Sequence, residues 1–248
     1  MSLKVTKENI FFLLPESRYA VSERIDAYME KDFTVYVKAK LFPETLTQTE
    51  SFLLARNGMH TGISAFKDSD DNNNVMFTYW FKDADDVPSP KQIFYTLGDD
   101  ILNEFNEYIM IGDDENETIS CYINSKLIGE ITYGDDRKQT YENSFYWFGC
   151  GSMIGPEEHR AFGDFEYKMA FVLNKKISLD DINDLTENYE EKYTDIVFND
   201  LRKLKNNYPL RENFAFFCDF KHYNRYKVWD LSFSGNYPQF YIEHNIYF

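Results

Sequence analysis

Apolar and polar residues alternate along several short segments of the chain. In "DFTVYVKAKLF" the apolar members fall on one side: Phe33, Val35, Val37, Ala39 and Leu41. A period of two is typical of a β-strand with one buried face. Strand-like text recurs in "VMFTYWF", "NEYIMIG", "TISCYINSKLIGEI", "FYWFGCG" and "DFEYKMAFVL". The pattern therefore predicts a chain built mainly from short strands.

Turn signals separate these segments. Asn57-Gly58, a strong hairpin dipeptide, joins two strands within "SFLLARNGMHTGISAF". Acidic segments such as "KDSDDNNN", "KDADDVPSP" and "GDDENE" lie between other strands. Many short strands with frequent turn signals favour a sandwich or barrel over an α/β fold. We expect a mostly β protein with a two-sheet antiparallel β-sandwich.

The hydrophobic period changes after Ser178. Ser178 and Asp181 form an acidic variant of the capping box, which marks a helix start. Apolar residues then recur every three to five positions: Ile182, Leu185, Tyr189, Tyr193, Ile196, Leu201 and Leu204. This spacing predicts one amphipathic helix, or two with a break near Thr194, ending before Pro209. The remaining residues return to a strand-rich tail.

Charge and composition exclude several classes of partner. The 26 basic and 42 acidic residues give a net charge of −16, which opposes binding to nucleic acid or to an anionic membrane surface. No apolar run approaches the roughly 20 residues that span a bilayer. We therefore expect no nucleic-acid partner and no membrane insertion.

The N-terminal segment and the cysteines bear on the compartment and on the state of the thiols. The N-terminal segment shows no signal peptide, so a complete chain would be cytoplasmic. Cys121, Cys150 and Cys218 have neither a disulfide-framework nor a zinc spacing. We expect them to be free thiols in or near the core.

Two motifs carry a resemblance to a known family. "CYINSKLIGEI" resembles a strand pair of laminin-G-like domains in the concanavalin A-like lectin/glucanase superfamily, with Ser125 where glycine is usual. "GDFEYKMAFVLNKKISLDDI" is similar to the closing strand and helix start of the same domains. The resemblance covers residues 8–190 and implies a jelly-roll sandwich. It places Phe165, Tyr167, Met169, Phe171 and Leu173 together on the core face of the closing strand.

The resemblance also implies a domain organisation. Residues 1–185 would form the sandwich, and residues 186–248 a helical segment with C-terminal strands. The tail either packs back on the sandwich or begins a truncated second module. We favour packing back, through Phe214, Phe216, Phe217 and Trp229, because half a module would leave an open sheet edge.

Catalytic carboxylates are the first chemistry to test. Glucanases of this superfamily carry Glu-x-Asp-x-x-Glu on one strand, and no complete match occurs in this chain. Asp164 and Glu166 alternate correctly, but Met169 stands where the third acid would be needed. Because glycoside hydrolysis needs paired carboxylates, we expect no catalytic activity.

Sugar binding needs an aromatic face and fixed polar groups. The candidates on the inner strands and their hairpin are Arg56, His60, Tyr79, Trp80 and Trp147. The alternative for the tryptophans is a place in the core. We expect a non-catalytic carbohydrate-binding module, either on its own or within a larger bacterial surface-glycan protein or enzyme. A protein-interaction module and a glycoside hydrolase or lyase are the alternatives.

An acidic loop offers the one metal candidate. Asp68, Asp70 and Asp71 supply oxygen donors suited to calcium. The loop lacks the glycine and the final glutamate of an EF-hand. A looser calcium site and a plain solvated loop both stay open at this point.

Overall fold

The structure is a computed structural model that describes residues 3–5, 10–15, 29, 31–56, 61–82, 85, 87–134, 137–138, 146–148, 164–198, 200–223, 228–232 and 236–241. Its strands, in chain order, are β1 Leu3–Val5, β2 Ile10–Pro15, β3 Phe33–Leu41, β4 Ser51–Arg56, β5 Thr61–Lys67, β6 Asn73–Lys82, β7 Pro88–Thr96, β8 Phe105–Asp113, β9 Thr118–Ile123, β10 Lys126–Thr132, β11 Arg137–Lys138, β12 Tyr146–Phe148, β13 Phe165–Leu173, β14 Thr194–Phe198, β15 Leu201–Leu204, β16 Phe214–Tyr223, β17 Val228–Asp230 and β18 Asn236–Tyr241. The helix α1 spans Leu179–Asn188.

Two antiparallel sheets contain most of these strands. Sheet A has the order β10-β9-β8-β3-β13-β16-β17, and β1 also pairs with β13. Sheet B has the order β11-β6-β5-β4-β12-β2-β18, and β7 also pairs with β6. The predicted fold class, a mostly β two-sheet antiparallel sandwich with a helix and a strand-rich tail, is confirmed.

The core between the sheets follows the predicted alternation. Val35 and Val37 of β3 are fully buried there, as is Phe77 of β6. The hydroxyl of Tyr167 on β13 donates to the backbone carbonyl of Leu53 on β4 (2.8 Å). This bond satisfies a buried polar group and links the two sheets.

The predicted core face of β13 is wrong beyond Tyr167, because the strand contains a β-bulge. The pairing with β3 shifts between Tyr167 and Met169, and an extra residue inverts the side-chain alternation that follows it. Phe165 and Tyr167 face the inter-sheet core, together with Ala170 and Val172 beyond the bulge. Met169, Phe171 and Leu173 face the opposite side of sheet A.

A second apolar cluster covers that opposite side. It contains Phe171 from β13 and Phe217 from β16, packed beneath Ile182 and Leu185 of α1. The predicted capping box is confirmed, because Asp181 N donates to Ser178 Oγ (3.1 Å) and Ser178 N donates to Asp181 Oδ2 (3.3 Å). The helix therefore starts at a fixed point and closes part of the outer face of sheet A.

The predicted continuation of the helix is wrong. After α1 the chain makes one π-helical turn, Tyr189–Tyr193, and then forms the hairpin β14–β15. Thr194, Ile196 and Val197 are β-branched, which favours strand over helix. The spacing of Ile196, Leu201 and Leu204 fits a helix no better than it fits a short hairpin.

The tail strands belong to both sheets. β16 pairs with β13 in sheet A, and β18 pairs with β2 in sheet B. Phe214 and Phe217 lie in the outer cluster, whereas Phe216 lies in the inter-sheet core. The side chain of Trp229 lies outside the described part of the structure.

Strand β7 was not anticipated from the sequence. Pro88 and Pro90 are unusual in a strand, so the sequence does not indicate one here. β7 nevertheless pairs with residues Asn74 to Lys82 of β6. Proline is tolerated on an edge strand because no ladder donor is needed on its open side.

Two further expectations concern the cysteines and membrane-spanning helices. Cys121 and Cys218 are free and buried, as predicted, and burial raises the pKa of both thiols. Cys150 lies outside the described residues. Within the described residues, no helix has the length and apolarity to cross a membrane.

Candidate functional site

A cleft of about 740 Å³ lies on the outer face of sheet A, where the cover formed by α1 and the hairpin ends. Its floor is β8 and β9, and its walls are the β13–α1 loop, the start of α1 and the segment Tyr208–Leu210. The volume falls within the roughly 300–1,000 Å³ usual for small-molecule sites. The cleft is therefore large enough for a sugar ring or two.

The floor follows from strand alternation. In β9 the residues Ile119, Cys121 and Ile123 are buried, so Ser120 and Tyr122 between them face outward. The wall loop is tied to β3, since Thr34 Oγ1 donates to Lys175 O (2.9 Å) and accepts from Ile177 N (3.2 Å).

An ion pair fixes one side of the cleft. Lys176 Nζ lies 2.8 Å from Asp113 Oδ2, and the Asn116 side-chain amide donates to the same oxygen (2.8 Å). These donors, the lysine foremost, hold the pKa of Asp113 at about 2. Asp113 is therefore ionised and already occupied at neutral pH.

On the opposite side of the cleft, Asp184 holds three side chains by hydrogen bonds. It accepts from Lys192, from the hydroxyl of Tyr193 and from the Asn188 amide (2.7 Å). These donors lower the pKa of Asp184 to about 2, with Lys192 contributing most. The fixed Tyr193 ring packs against Tyr208 with a centroid distance of 4.7 Å, so the cleft has a rigid aromatic edge.

Three hydrogen-bond donors of the cleft stay open. Among the described residues, no partner is found for the Lys175 ammonium or for the hydroxyls of Tyr122 and Tyr208. All three residues line the cleft. These donors and the rings of Tyr122 and Tyr208 form a mixed aromatic and polar surface of the kind that sugar recognition uses.

The predicted sugar-binding residues that the structure describes lie elsewhere, on sheet B. Tyr79 is 1% exposed and its hydroxyl donates to the backbone carbonyl of Met29, so its ring belongs to the inter-sheet core. Trp80, next along β6, is half-buried. The backbones of Arg56 and Trp147 come together where β12 pairs with β4; their side chains, and all of His60, lie outside the described part.

The acidic loop holds its own backbone. Asp68 accepts from the backbone amides of Asp70 (2.9 Å) and Asn72 (3.0 Å) and from the side chain of Asn74 (3.2 Å). The Asn72 amides contribute most to lowering the pKa of Asp68. Asp71 pairs with Lys67 (2.9 Å).

Metal binding gains no support from this arrangement. Within the described ranges no three His, Cys, Asp or Glu side chains are grouped to hold a metal ion. The Asp68 carboxylate accepts hydrogen bonds from backbone amides of its own turn. Aspartate and asparagine are common in turns for this reason.

The carboxylate candidates of the closing strand are also apart from the cleft. Glu166 lies opposite Lys40 in the β13–β3 ladder, and Asp164 N donates to Thr45 Oγ1 (2.7 Å). Met169 is buried in the outer cluster.

The cleft was missed because its residues are distant in sequence. One signal was available: the outward positions of "TISCYI" are Ser120 and Tyr122, an aromatic residue on an otherwise polar strand face.

Solved structures with a similar fold include two toxin binding domains and a pentraxin. The botulinum neurotoxin serotype D ligand binding domain, in complex with N-acetylneuraminic acid, is 13% identical with a TM-score of 0.45, over 67% of this chain and 39% of that one. The serotype G binding domain is 14% identical with a TM-score of 0.47, over 79% and 49%. The SAP-like pentraxin from Limulus polyphemus is 12% identical with a TM-score of 0.41, over 72% and 82%.

This chain spans less than half the length of the two toxin domains. At these scores and identities the likeness does not bear on what this chain binds. No protein-family model matches the chain. No curated protein matches it.

Proposed function

We propose that the chain is a non-catalytic carbohydrate-binding module whose ligand occupies the cleft on the outer face of sheet A. The observation that carries the proposal is the joint presence of tyrosine rings and open donors in one cleft of about 740 Å³. Sugar rings offer an apolar side for stacking and hydroxyls for hydrogen bonds, and the cleft supplies both kinds of partner.

Two of the cleft carboxylates, Asp113 and Asp184, support binding over hydrolysis, and a third, Asp181, caps the start of α1. A glycosidase needs one carboxyl whose pKa is raised so that it can donate a proton. The pKa values of Asp113 and Asp184 are shifted the other way, to about 2. Both groups serve to position Lys176, Lys192 and Tyr193.

A glycan array, probed with and without calcium, tests the proposal. We expect binding to a set of related glycans with micromolar to millimolar affinity, independent of calcium. The absence of binding to any glycan at millimolar concentration would overturn it. Release of reducing ends from a polysaccharide panel would favour the hydrolase alternative.

The sheet B residues remain a second proposed location for the same function. Of the aromatic candidates on sheet B, Trp80 is half-buried and lies outside the core cluster. Trp147 lies on β12, which β5 and β4 separate from β6. Array binding that survives Tyr122→Ala but is lost in Trp80→Ala would move the ligand to sheet B. A pulled-down protein partner that sugars fail to displace would favour the protein-interaction alternative.

A further inference from the structure

The β14–β15 hairpin carries three consecutive apolar side chains that face water. Ile196, Val197 and Phe198 are 58%, 54% and 66% exposed. A strand that lies on a protein surface buries alternate residues, but every residue from Asp195 to Phe198 is exposed. Within the described residues, neither face of β14 beyond Thr194 is therefore covered by the body of the protein.

The base of the hairpin is firmly attached. Leu204 N donates to Leu231 O (2.9 Å), and Lys205 N donates to Tyr193 O (2.8 Å). Lys203 Nζ donates to the carbonyls of Asp230 and Ser232, at 2.7 Å each. The tip is thus held outward by a rigid support, so its exposure is built into the fold.

We propose that Ile196, Val197 and Phe198 insert shallowly into the outer layer of a lipid bilayer with neutral, zwitterionic headgroups. A bilayer surrounds an inserted tip and covers apolar side chains on every side at once. A flat protein surface would cover one side of the strand. This departs from the expectation of no membrane insertion, which rested on the lack of a membrane-spanning apolar run and on repulsion from anionic lipids. Shallow insertion into a neutral bilayer requires neither a spanning helix nor an anionic surface.

The area of the tip argues against a second copy of the chain as its partner. A fully buried aromatic side chain removes about 150–250 Å² from water. Three partly exposed side chains of that size or smaller supply at most roughly 500 Å², whereas a specific interface needs about 800 Å² from each partner.

Charge selects the kind of lipid. The chain carries a net charge of −16, and the exposed Asp195 and Asp200 flank the apolar residues. The nearby cations Arg202 and Lys203 keep their charge, but hydrogen bonds to Glu190 O (2.6 Å) and to the carbonyls of Asp230 and Ser232 hold them at the base of the hairpin. An anionic surface would repel this tip, so phosphatidylcholine should bind it better than phosphatidylserine mixtures.

Flotation of the whole chain with phosphatidylcholine vesicles tests the proposal. A triple variant, Ile196→Ser with Val197→Ser and Phe198→Ser, should lower the partition coefficient at least tenfold, because each buried apolar side chain contributes separately. The matched control is Leu127→Ser, a single apolar side chain that is 50% exposed on β10, which should leave flotation unchanged. Circular dichroism should show both variants folded, since the replaced side chains already face water.

Three outcomes would overturn the proposal. One is a wild-type chain that stays with the soluble fraction at millimolar phosphatidylcholine. Another is equal flotation of the wild-type chain and the triple variant. The third is binding that strengthens with phosphatidylserine and weakens with salt, which would assign membrane contact to basic residues. Self-association that the triple variant abolishes, without flotation, would instead make the tip an interface between copies.

Discussion

Replacing Phe217 by alanine tests whether the tail and the sandwich fold as one unit. Phe217 lies on β16 and is fully buried in the outer cluster. Its ring contacts Phe171 of β13, Phe214 and Tyr189, with centroid distances of 5.6, 5.5 and 5.6 Å. The side chain therefore joins sheet A, the tail and the turn after α1.

The expected loss follows from burial and from the cavity left behind. Truncating a buried phenylalanine costs about 3–5 kcal/mol in the free energy of unfolding. For a domain of this size, each kcal/mol shifts the Tm by roughly 2–4 °C, so we expect a fall of roughly 6–20 °C. Phe94→Ala is the matched control, because Phe94 is 56% exposed on the edge strand β7 and should cost less than about 1 kcal/mol.

Urea unfolding followed by both circular dichroism and tryptophan fluorescence measures the effect. The account predicts one transition, shared by the two probes and moved to lower urea in Phe217→Ala. A loss below about 1 kcal/mol would refute the packing argument. Two separate transitions, with one alone affected, would show that residues 186–248 form an independent unit.

Further predictions concern the helix start, a close contact and acid stability. Ser178→Ala should cost about 1 kcal/mol, measured by urea unfolding, and Ser178→Asp should restore most of it. Gly112→Ala should cost about 1–3 kcal/mol, because its new Cβ would lie 2.3 Å from the Phe33 ring; an unchanged urea midpoint would contradict this. Because the folded pKa of Asp184 is about 2, below its ordinary 3.8, its contribution is present above pH 4 and is lost as the pH falls toward 2. Asp184→Asn should lower stability at pH 6 and have a much smaller effect at pH 2, as urea midpoints will show.

Strand alternation predicted the sandwich because one buried face imposes a period of two. It worked best for β3, whose inward residues Val35 and Val37 are both buried as predicted. It failed in β13, since a bulge after Tyr167 is set by pairing with β3 and leaves no mark in the local sequence. The hairpin β14–β15 has a helix-like sequence pattern because its few apolar residues fit both periods.

The candidate site could not be predicted in the same way. Tyr122, Lys175 and Tyr208 come from three segments that meet only once α1 covers sheet A. Local alternation instead favours aromatic residues of sheet B strands, such as Tyr79, Trp80 and Trp147. Tyr79 shows the weakness of that choice, because the alternation that identified its strand also placed it in the core.

Calorimetric titration of an array-selected glycan into the wild-type chain and Tyr122→Ala tests the central claim most directly. Tyr122 is half-buried on the cleft floor, so its truncation should leave the fold intact. The account predicts that affinity falls about tenfold or more, as expected for loss of one aromatic stacking partner and its hydroxyl. Trp80→Ala, on sheet B, should bind as the wild type does. Unchanged affinity in Tyr122→Ala, with loss in Trp80→Ala, would contradict the account.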